Sequence, residues 1–131
     1  MSAFQSTQEA HDVLGGFFRQ EAAEDDHMFA GSGFIIGYRL HDPDVLVILD
    51  ASKPPQPGKA YDVYVDDPHA PEPSVEILLS ADDFDKLYKG ETQPMSLMMS
   101  GRAKAKGDVT AAMRLLPAMA RAIPRYKKYR E

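Results

Sequence analysis

The stretch from Ser80 to Leu116 constrains the fold more than any other part of this 131-residue chain. It holds two short amphipathic helical patterns separated by Gly90, a strand pattern over residues 102–106, and the start of a last helix. The strand reads Arg-Ala-Lys-Ala-Lys, so if its cations face water, its alanines face the core. A strand that turns only methyl groups inward leaves a volume that neighbouring side chains or a ligand must fill.

Methionine is concentrated on both sides of that strand, with five of the seven methionines after residue 94. Three of them share one face of the preceding helix, and two lie beside a leucine on the last helix. Because methionine is unbranched and polarizable, it packs against apolar partners of irregular shape. The pattern indicates either ordinary core or the wall of an apolar cavity. Its candidate residues are Met95, Met98, Met99, Ala103, Ala105, Met113, Leu116 and Met119.

Hydrophobic periodicity and turn signals divide the chain into alternating elements. A capping box over residues 6–9 opens the first helix, and Pro117 should kink or split the last helix, with a further break at Pro124. Helical patterns cover 7–23, 81–89, 94–101 and 108–122, and strand patterns cover 33–40, 45–50, 60–65, 74–79 and 102–106. Because short loops join consecutive strands, we expect antiparallel pairing. The predicted fold is α+β, with a five-stranded, mainly antiparallel sheet covered by helices in a single domain over residues 1–131.

Several function classes lack their sequence signatures. The chain has no cysteine, which rules out disulfides, thiolate nucleophiles and Cys-ligated zinc. It has no nucleophile elbow, P-loop or dinucleotide-binding fingerprint, and the acids at 82, 83 and 85 suit a helix N-terminus. No signal-peptide pattern opens it and no apolar run approaches about 18 residues, so we expect a cytoplasmic protein. We therefore expect no catalytic residue and no cofactor. We also expect no metal site, because the spacing typical of metal ligands is absent from His11, His27, His41 and His69.

The charge is strongly asymmetric along the chain. From Arg102 onward there are nine Lys and Arg residues against two acids, a net charge of +7, whereas residues 1–101 carry −12. Tyrosines interleave with the last cations, as on a protein that contacts an anionic membrane surface, whereas no nucleic-acid-binding motif accompanies them. The alternative is that these cations only favour the C-terminal end of a helix dipole. The candidate membrane-contacting residues are Arg121, Arg125, Lys127, Lys128 and Arg130.

The order of these features resembles the sterol carrier protein type-two family of lipid-transfer domains. The resemblance covers about a third of the chain closely, over residues 75–116. It rests on a strand followed by a capped helix, an apolar segment, a basic alternating strand and a Gly-Asp helix start. The residues that carry it are Val75–Leu79, Ser80, Asp83, Phe84, Leu87, Gly90, Pro94, Leu97, Met98, Met99, Gly101, Gly107, Asp108, Ala112, Met113, Leu115 and Leu116.

The resemblance implies a five-stranded sheet with helices around an apolar tunnel, which binds sterols, fatty acids, fatty acyl-CoA or phospholipids without chemistry. Members usually have large aliphatic residues at the positions of Ala103 and Ala105, so the tunnel here would be wider or its axis shifted. The tunnel residues implied by matching positions are Phe84, Leu87, Met95, Met98, Met99, Met113 and Leu116.

Two further classes of function stay open beside binding and transfer of a hydrophobic ligand. One is a protein-interaction or accessory subunit, such as a homodimer, whose cavity is vestigial. The other is an enzyme that uses the cavity, which only the acidic helix start and scattered histidines favour. In the lipid-binding hypothesis, the hydroxyl of Tyr38, Tyr61, Tyr64 or Tyr88, or the cations of the tail, would hold a polar head at the cavity mouth.

Overall fold

The computed structural model describes residues 3–24, 32–54 and 56–131. Within these ranges the chain forms four helices and five strands, which confirms the predicted α+β class. His27 lies outside the described residues. The elements are α1 (Thr7–Glu24), β1 (Ile35–His41), β2 (Val45–Asp50), β3 (Asp62–Val65), β4 (Val75–Ser80), α2 (Ala81–Tyr88), α3 (Pro94–Met99), β5 (Lys104–Gly107) and α4 (Val109–Tyr129).

The strands form one sheet in the order β3-β2-β1-β4-β5. Three of the described strand pairs are antiparallel, as predicted, but β1 and β4 are parallel. The expectation that consecutive strands pair is therefore wrong for β3 and β4. The connection between them crosses the sheet, because β2 and β1 lie between β3 and β4. It packs closely on β1, where a Cβ added to Gly37 would lie 3.2 Å from the ring of Pro73. Ser74 then fixes β4 beside β1, since its backbone N–H and its hydroxyl both donate to the carbonyl oxygen of Ile35, at 2.8 and 3.0 Å.

On the helix-covered face of the sheet, the side chains become smaller toward the β5 edge. In the register, Tyr38 lies opposite Ile77, and Ile77 lies opposite Ala105. These three positions form one row from an aromatic ring to a methyl group. Along β5 the cations Lys104 and Lys106 are exposed, as the alternation predicts. The sheet therefore offers least bulk to the helices at the β4–β5 edge.

Aromatic rings fill the other half of the interface between sheet and helices. We call this set the aromatic cluster, and its ring centroids lie 4.5–6.3 Å from their neighbours. The hydroxyls of Tyr38 and Tyr88 are 2.7 Å apart, and the Tyr126 hydroxyl donates to Oδ1 of Asp85 at 2.7 Å. Rings and hydrogen bonds together tie three helices to β1. The cluster comprises Phe17, Phe18, Tyr38, Phe84, Tyr88 and Tyr126.

Helix α4 runs without a break through both of its prolines, so the predicted split near Leu116 and the break at Pro124 are wrong. Each proline removes the N–H that would bond to the carbonyl four residues earlier. Those carbonyls belong to Met113 and Ala120, which are exposed, as are both prolines, so water can replace the lost donors. Buried residues on both sides of Pro117 hold the two segments of the helix against the core.

A largely buried ion pair joins α1 to α4. The side chain of Glu21 has no exposed surface, and Nε of Arg125 donates to both of its carboxylate oxygens at 2.8 and 2.7 Å. Burying a carboxylate is costly unless a charged donor accompanies it. This pair therefore fixes how α4 crosses α1.

We predict that alkaline pH destabilises the protein through its buried tyrosines. Burial raises the pKa of Tyr38, Tyr88 and Tyr126 above the ordinary 10.0, since each is held in a low-dielectric interior. Their contribution to stability is complete below pH 10 and falls as the pH rises, by about 1.4 kcal/mol per tyrosine for each further pH unit. Urea unfolding from pH 8 to pH 11 measures this loss. The double variant Tyr38→Phe/Tyr88→Phe should lose less stability over that range, and an equal loss would contradict the account.

We predict that Arg125→Met lowers the free energy of unfolding by about 2–3 kcal/mol. This is less than the ~3–5 kcal/mol of a fully buried pair, because the Arg125 side chain is 37% exposed. The double variant Glu21→Leu/Arg125→Met should recover most of the loss, since it removes the buried charge as well. Urea unfolding midpoints measure both effects. A double variant less stable than Arg125→Met would show that the pair itself, rather than the charge left behind, sets the stability.

Candidate functional site

An apolar cavity lies between the β4–β5 edge of the sheet and helices α3 and α4. We call it the inner cavity; its volume is about 70 Å³. None of the described residues that line it is charged, and one tyrosine supplies its only hydroxyl. It is lined by Tyr38, Ile77, Leu79, Leu87, Pro94, Met95, Leu97, Met98, Ala103, Ala105, Ala112, Met113, Leu116 and Met119.

A larger groove adjoins the inner cavity and opens to solvent between α2, α3 and α4. This outer groove has a volume of about 580 Å³. Polar side chains lie along it at Thr92, Gln93 and Ser96, and no described lining residue is charged. The two hollows are separated by a wall of residues common to both: Leu87, Pro94, Met95, Leu116 and Met119. Two members of that wall are methionines, so its shape depends on flexible side chains.

Eight of the ten candidate site residues line the inner cavity. The other two lie elsewhere. Phe84 is fully buried in the aromatic cluster, where its ring stacks on that of Tyr88 at 4.5 Å. Met99 is 85% exposed at the end of α3, since a six-residue helix presents only a narrow face to the core. The eight are Leu87, Met95, Met98, Ala103, Ala105, Met113, Leu116 and Met119.

Sequence analysis missed the part of the cavity wall that β1 and β4 form. Ile77 and Leu79 were not considered and Tyr38 was considered only for its hydroxyl, because the parallel pairing that brings β1 and β4 together was not expected. Leu97 was also missed as a lining residue, although it is the one apolar side chain of α3 that is buried in the described structure. Its place among the residues that carry the family resemblance was the available signal.

Helix α3 is held to the protein mainly through Leu97. The carbonyl oxygen of Leu97 accepts the backbone N–H groups of Arg102 and Ala103 at 2.9 and 3.0 Å. The turn that follows is fixed by Arg102, whose guanidinium bonds both carboxylate oxygens of Asp83. At the other end, no side-chain hydrogen bond from the N-cap residue Gln93 closes the helix. The α3 wall is thus anchored at its C-terminal end and loosely held at its N-terminal end.

Four methionines around the cavity are exposed to an unusual degree for large apolar residues. Met95, Met98, Met99 and Met113 are 52%, 40%, 85% and 54% exposed. We call these four residues the methionine face. Clustered exposed apolar residues are typical of a binding surface.

The five cations of the C-terminal tail have different environments. Arg121, Lys127 and Lys128 are exposed. Arg125 binds Glu21, and Arg130 donates to the carbonyl oxygen of Ala3 at 2.8 Å and lies over the ring of Phe4. Arg125 and Arg130 are therefore bound within the protein, contrary to the prediction that all five face a membrane. Their partners could not be identified locally, because they lie more than 100 residues away along the chain.

The acidic side chains at the start of α2, which the enzyme hypothesis invoked, bind other groups of the protein. Asp82 accepts the N–H of Ala3, Asp83 binds Arg102, and Asp85 binds Lys89 and Tyr126. Among described residues no group of three or more acidic or histidine side chains could hold a metal ion.

The lipid-binding hypothesis expected a tyrosine hydroxyl that could hold a polar head at the cavity mouth, but the structure does not place these hydroxyls free at that position. Tyr38 and Tyr88 bond each other, and the Tyr61 hydroxyl donates to the carbonyl oxygen of Phe18 at 3.2 Å. Tyr64 lies at a separate hollow formed by β2, β3 and the loop after them.

In the part of the chain that the structure describes, no helix has the length and apolar character required to cross a membrane.

Known structures with the same fold include sterol carrier proteins. Sterol carrier protein 2 from Yarrowia lipolytica, in its apo form, has a TM-score of 0.65 and 18% identity, covering 92% of this chain and 97% of that one. Sterol carrier protein domain 2 of Helicoverpa armigera has a TM-score of 0.65 and 20% identity, covering 95% and 97%. The UbiJ-SCP2 ubiquinone synthesis protein has a TM-score of 0.60 and 14% identity, covering 88% and 98%. At these identities the likeness shows the fold.

The family assignment rests on the sequence itself. No curated protein matches the chain. The model of the SCP-2 sterol transfer family matches residues 14–120, which include the cavity-lining residues of β1, β4, α2, α3, β5 and α4. The resemblance noted in the sequence is thereby confirmed, and the chain belongs to the SCP-2 sterol transfer family.

Proposed function

We propose that this protein binds one hydrophobic ligand in the inner cavity and outer groove, without chemistry, and carries it between membranes. The observation that carries the proposal is the uncharged, methionine-rich lining shared by the two hollows. A cavity of this composition favours an apolar ligand, and its described lining residues supply no charged group that could act as a general acid or base. The family to which the chain belongs supports lipid binding as the general activity.

The ligand would have to enlarge the inner cavity. Ligand pockets commonly measure about 300–1,000 Å³, so the outer groove at about 580 Å³ is large enough and the inner cavity at about 70 Å³ is not. The residues between the hollows include Met95 and Met119, whose three side-chain torsions can rearrange without moving the backbone. Rearrangement of these two side chains would join the hollows into the tunnel that the family resemblance implies.

Burial of a single acyl chain supplies enough free energy for useful affinity. At roughly 0.8 kcal/mol per methylene, a chain of ~15 methylenes offers on the order of 12 kcal/mol before ordering costs. The polar head would stay at the outer groove, where Thr92, Gln93 and Ser96 can hydrogen-bond to it. Fatty acids, fatty acyl-CoA, sterols and phospholipids all fit this description. A cytoplasmic location and a single domain over the whole chain stay predictions from the sequence.

The second candidate function is an interaction or accessory module, such as a homodimer, with a vestigial cavity. The exposed methionine face favours it, because such a surface also suits a protein partner. One structural neighbour is named as a ubiquinone synthesis protein, which is compatible with an accessory role. We place lipid binding first because a pure interaction module would have no need of a lining free of charge in two adjoining hollows.

We predict that Ala105→Leu lowers uptake of a fluorescent fatty acid at least about tenfold, because the added carbons occupy the inner cavity. Ala105 lines that cavity and is half-buried. If the site were packed core, the same change would instead destabilise the fold by about 1–3 kcal/mol through overpacking. Fluorescence titration measures uptake, and thermal unfolding in the same buffer separates the two outcomes.

The matched control is Lys104→Leu, which places the same side chain on the same strand but on its exposed side. It should leave uptake unchanged. Wild-type affinity in a folded Ala105→Leu protein would contradict the proposed binding site.

A further inference from the structure

The outer side of α4 carries a line of cations beside the methionine face. Arg114, Arg121 and Lys128 follow one another at intervals of seven residues, which is close to two helical turns, so they share one side of the helix. We call these three residues the basic stripe. All three are exposed, and among the described residues none of them has a carboxylate within 4.0 Å. The stripe is therefore free to meet an external anionic partner.

Neither α3 nor α4 contains an acidic residue, so nothing along these two helices offsets the stripe. Met113 lies about a quarter of a turn around α4 from the stripe and also lines the inner cavity beside Met95 and Met98, so it connects the stripe to the methionine face. The exposed α3–α4 surface thus combines protruding apolar side chains with a row of cations.

We propose that this α3–α4 surface docks on an anionic phospholipid bilayer, with the methionine face inserted at the interface and the basic stripe on the headgroups. Unbranched methionine side chains can enter a disordered acyl boundary, and cations near it are attracted by its negative surface potential. The docking does not rest on the proposed function, but if the protein carries a lipid, this surface is where it would meet the membrane.

Charge distribution favours a bilayer over a second copy of the chain. In a two-fold dimer through this surface, the basic stripes of both copies would lie in the same interface and repel each other. An anionic bilayer can contact the basic stripe through its headgroups and the methionine face through its acyl chains. The acidic side chains of the described residues lie outside α3 and α4, and repulsion of those elements from the membrane would favour this orientation.

The first test compares partition onto vesicles of phosphatidylcholine alone and of phosphatidylcholine with phosphatidylserine. We expect binding to the anionic vesicles, and we expect it to weaken as salt rises from about 0.1 M to about 1 M. The triple variant Arg114→Gln/Arg121→Gln/Lys128→Gln should lose at least about tenfold in partition. Met99→Gln should also weaken it, and because Met99 is 85% exposed this change leaves the fold intact.

The matched control is Lys53→Gln/Lys104→Gln/Lys106→Gln, which removes the same charge from exposed positions on the β2–β3 connection and β5. It should partition as the wild type does. Equal losses in both triple variants would overturn the proposal, because binding would then follow net charge alone. A protein that ignores vesicles but sediments as a dimer disrupted by Met99→Gln would also overturn it, and would identify the surface as a contact between copies.

Ala105→Leu separates docking from ligand binding. Ala105 belongs to β5 and its substitution leaves the basic stripe and the methionine side chains in place, so this variant should bind anionic vesicles normally while losing fatty-acid uptake. Wild-type protein that docks through the basic stripe and takes up no lipid would support this inference and reject the proposed function. Loss of vesicle docking in a folded Ala105→Leu protein would count against a surface that acts independently of the cavity.

Discussion

The rest of the structure depends on the way the aromatic cluster occupies one half of the space between sheet and helices. Rings from α1, β1, α2 and α4 contact one another there, and hydrogen bonds join Tyr38 to Tyr88 and Tyr126 to Asp85. Tyr38 belongs both to this cluster and to the wall of the inner cavity. The cluster thereby sets how closely α2 and α4 can approach the sheet, and at the β5 edge that spacing exceeds what alanines can fill.

The two halves of this interface have different mechanical properties. The aromatic half is fully buried and hydrogen-bonded, so its side chains are fixed. The other half is built from methionine and alanine, and it is bounded by a six-residue helix that one buried leucine anchors. A ligand can therefore change the second half without cost to the first. This division gives a physical reason why a stable fold of this size can contain an adaptable apolar site.

Local sequence patterns predicted the elements, the helix side of the site and its β5 alanines, but not the part of the wall that β1 and β4 form. Ser80 caps α2 as its pattern indicates, and eight candidate residues line the inner cavity. The parallel pairing of β4 with β1 could not be predicted, because it depends on a proline-rich crossing over Gly37. For the same reason Tyr38 was considered only as a hydroxyl at the cavity mouth and not as part of the cavity wall. The continuity of α4 through Pro117 was also missed, since the exposure of the residues around its prolines is a tertiary property.

The most direct test of the central claim is native mass spectrometry of freshly purified protein, followed by extraction into organic solvent. The account predicts a stoichiometric adduct of a few hundred daltons that extracts as a lipid. The mass of the ligand would then identify its class. A mass equal to that of the chain alone, in protein that also fails to take up a fluorescent fatty acid, would contradict lipid binding and leave the interaction-module function.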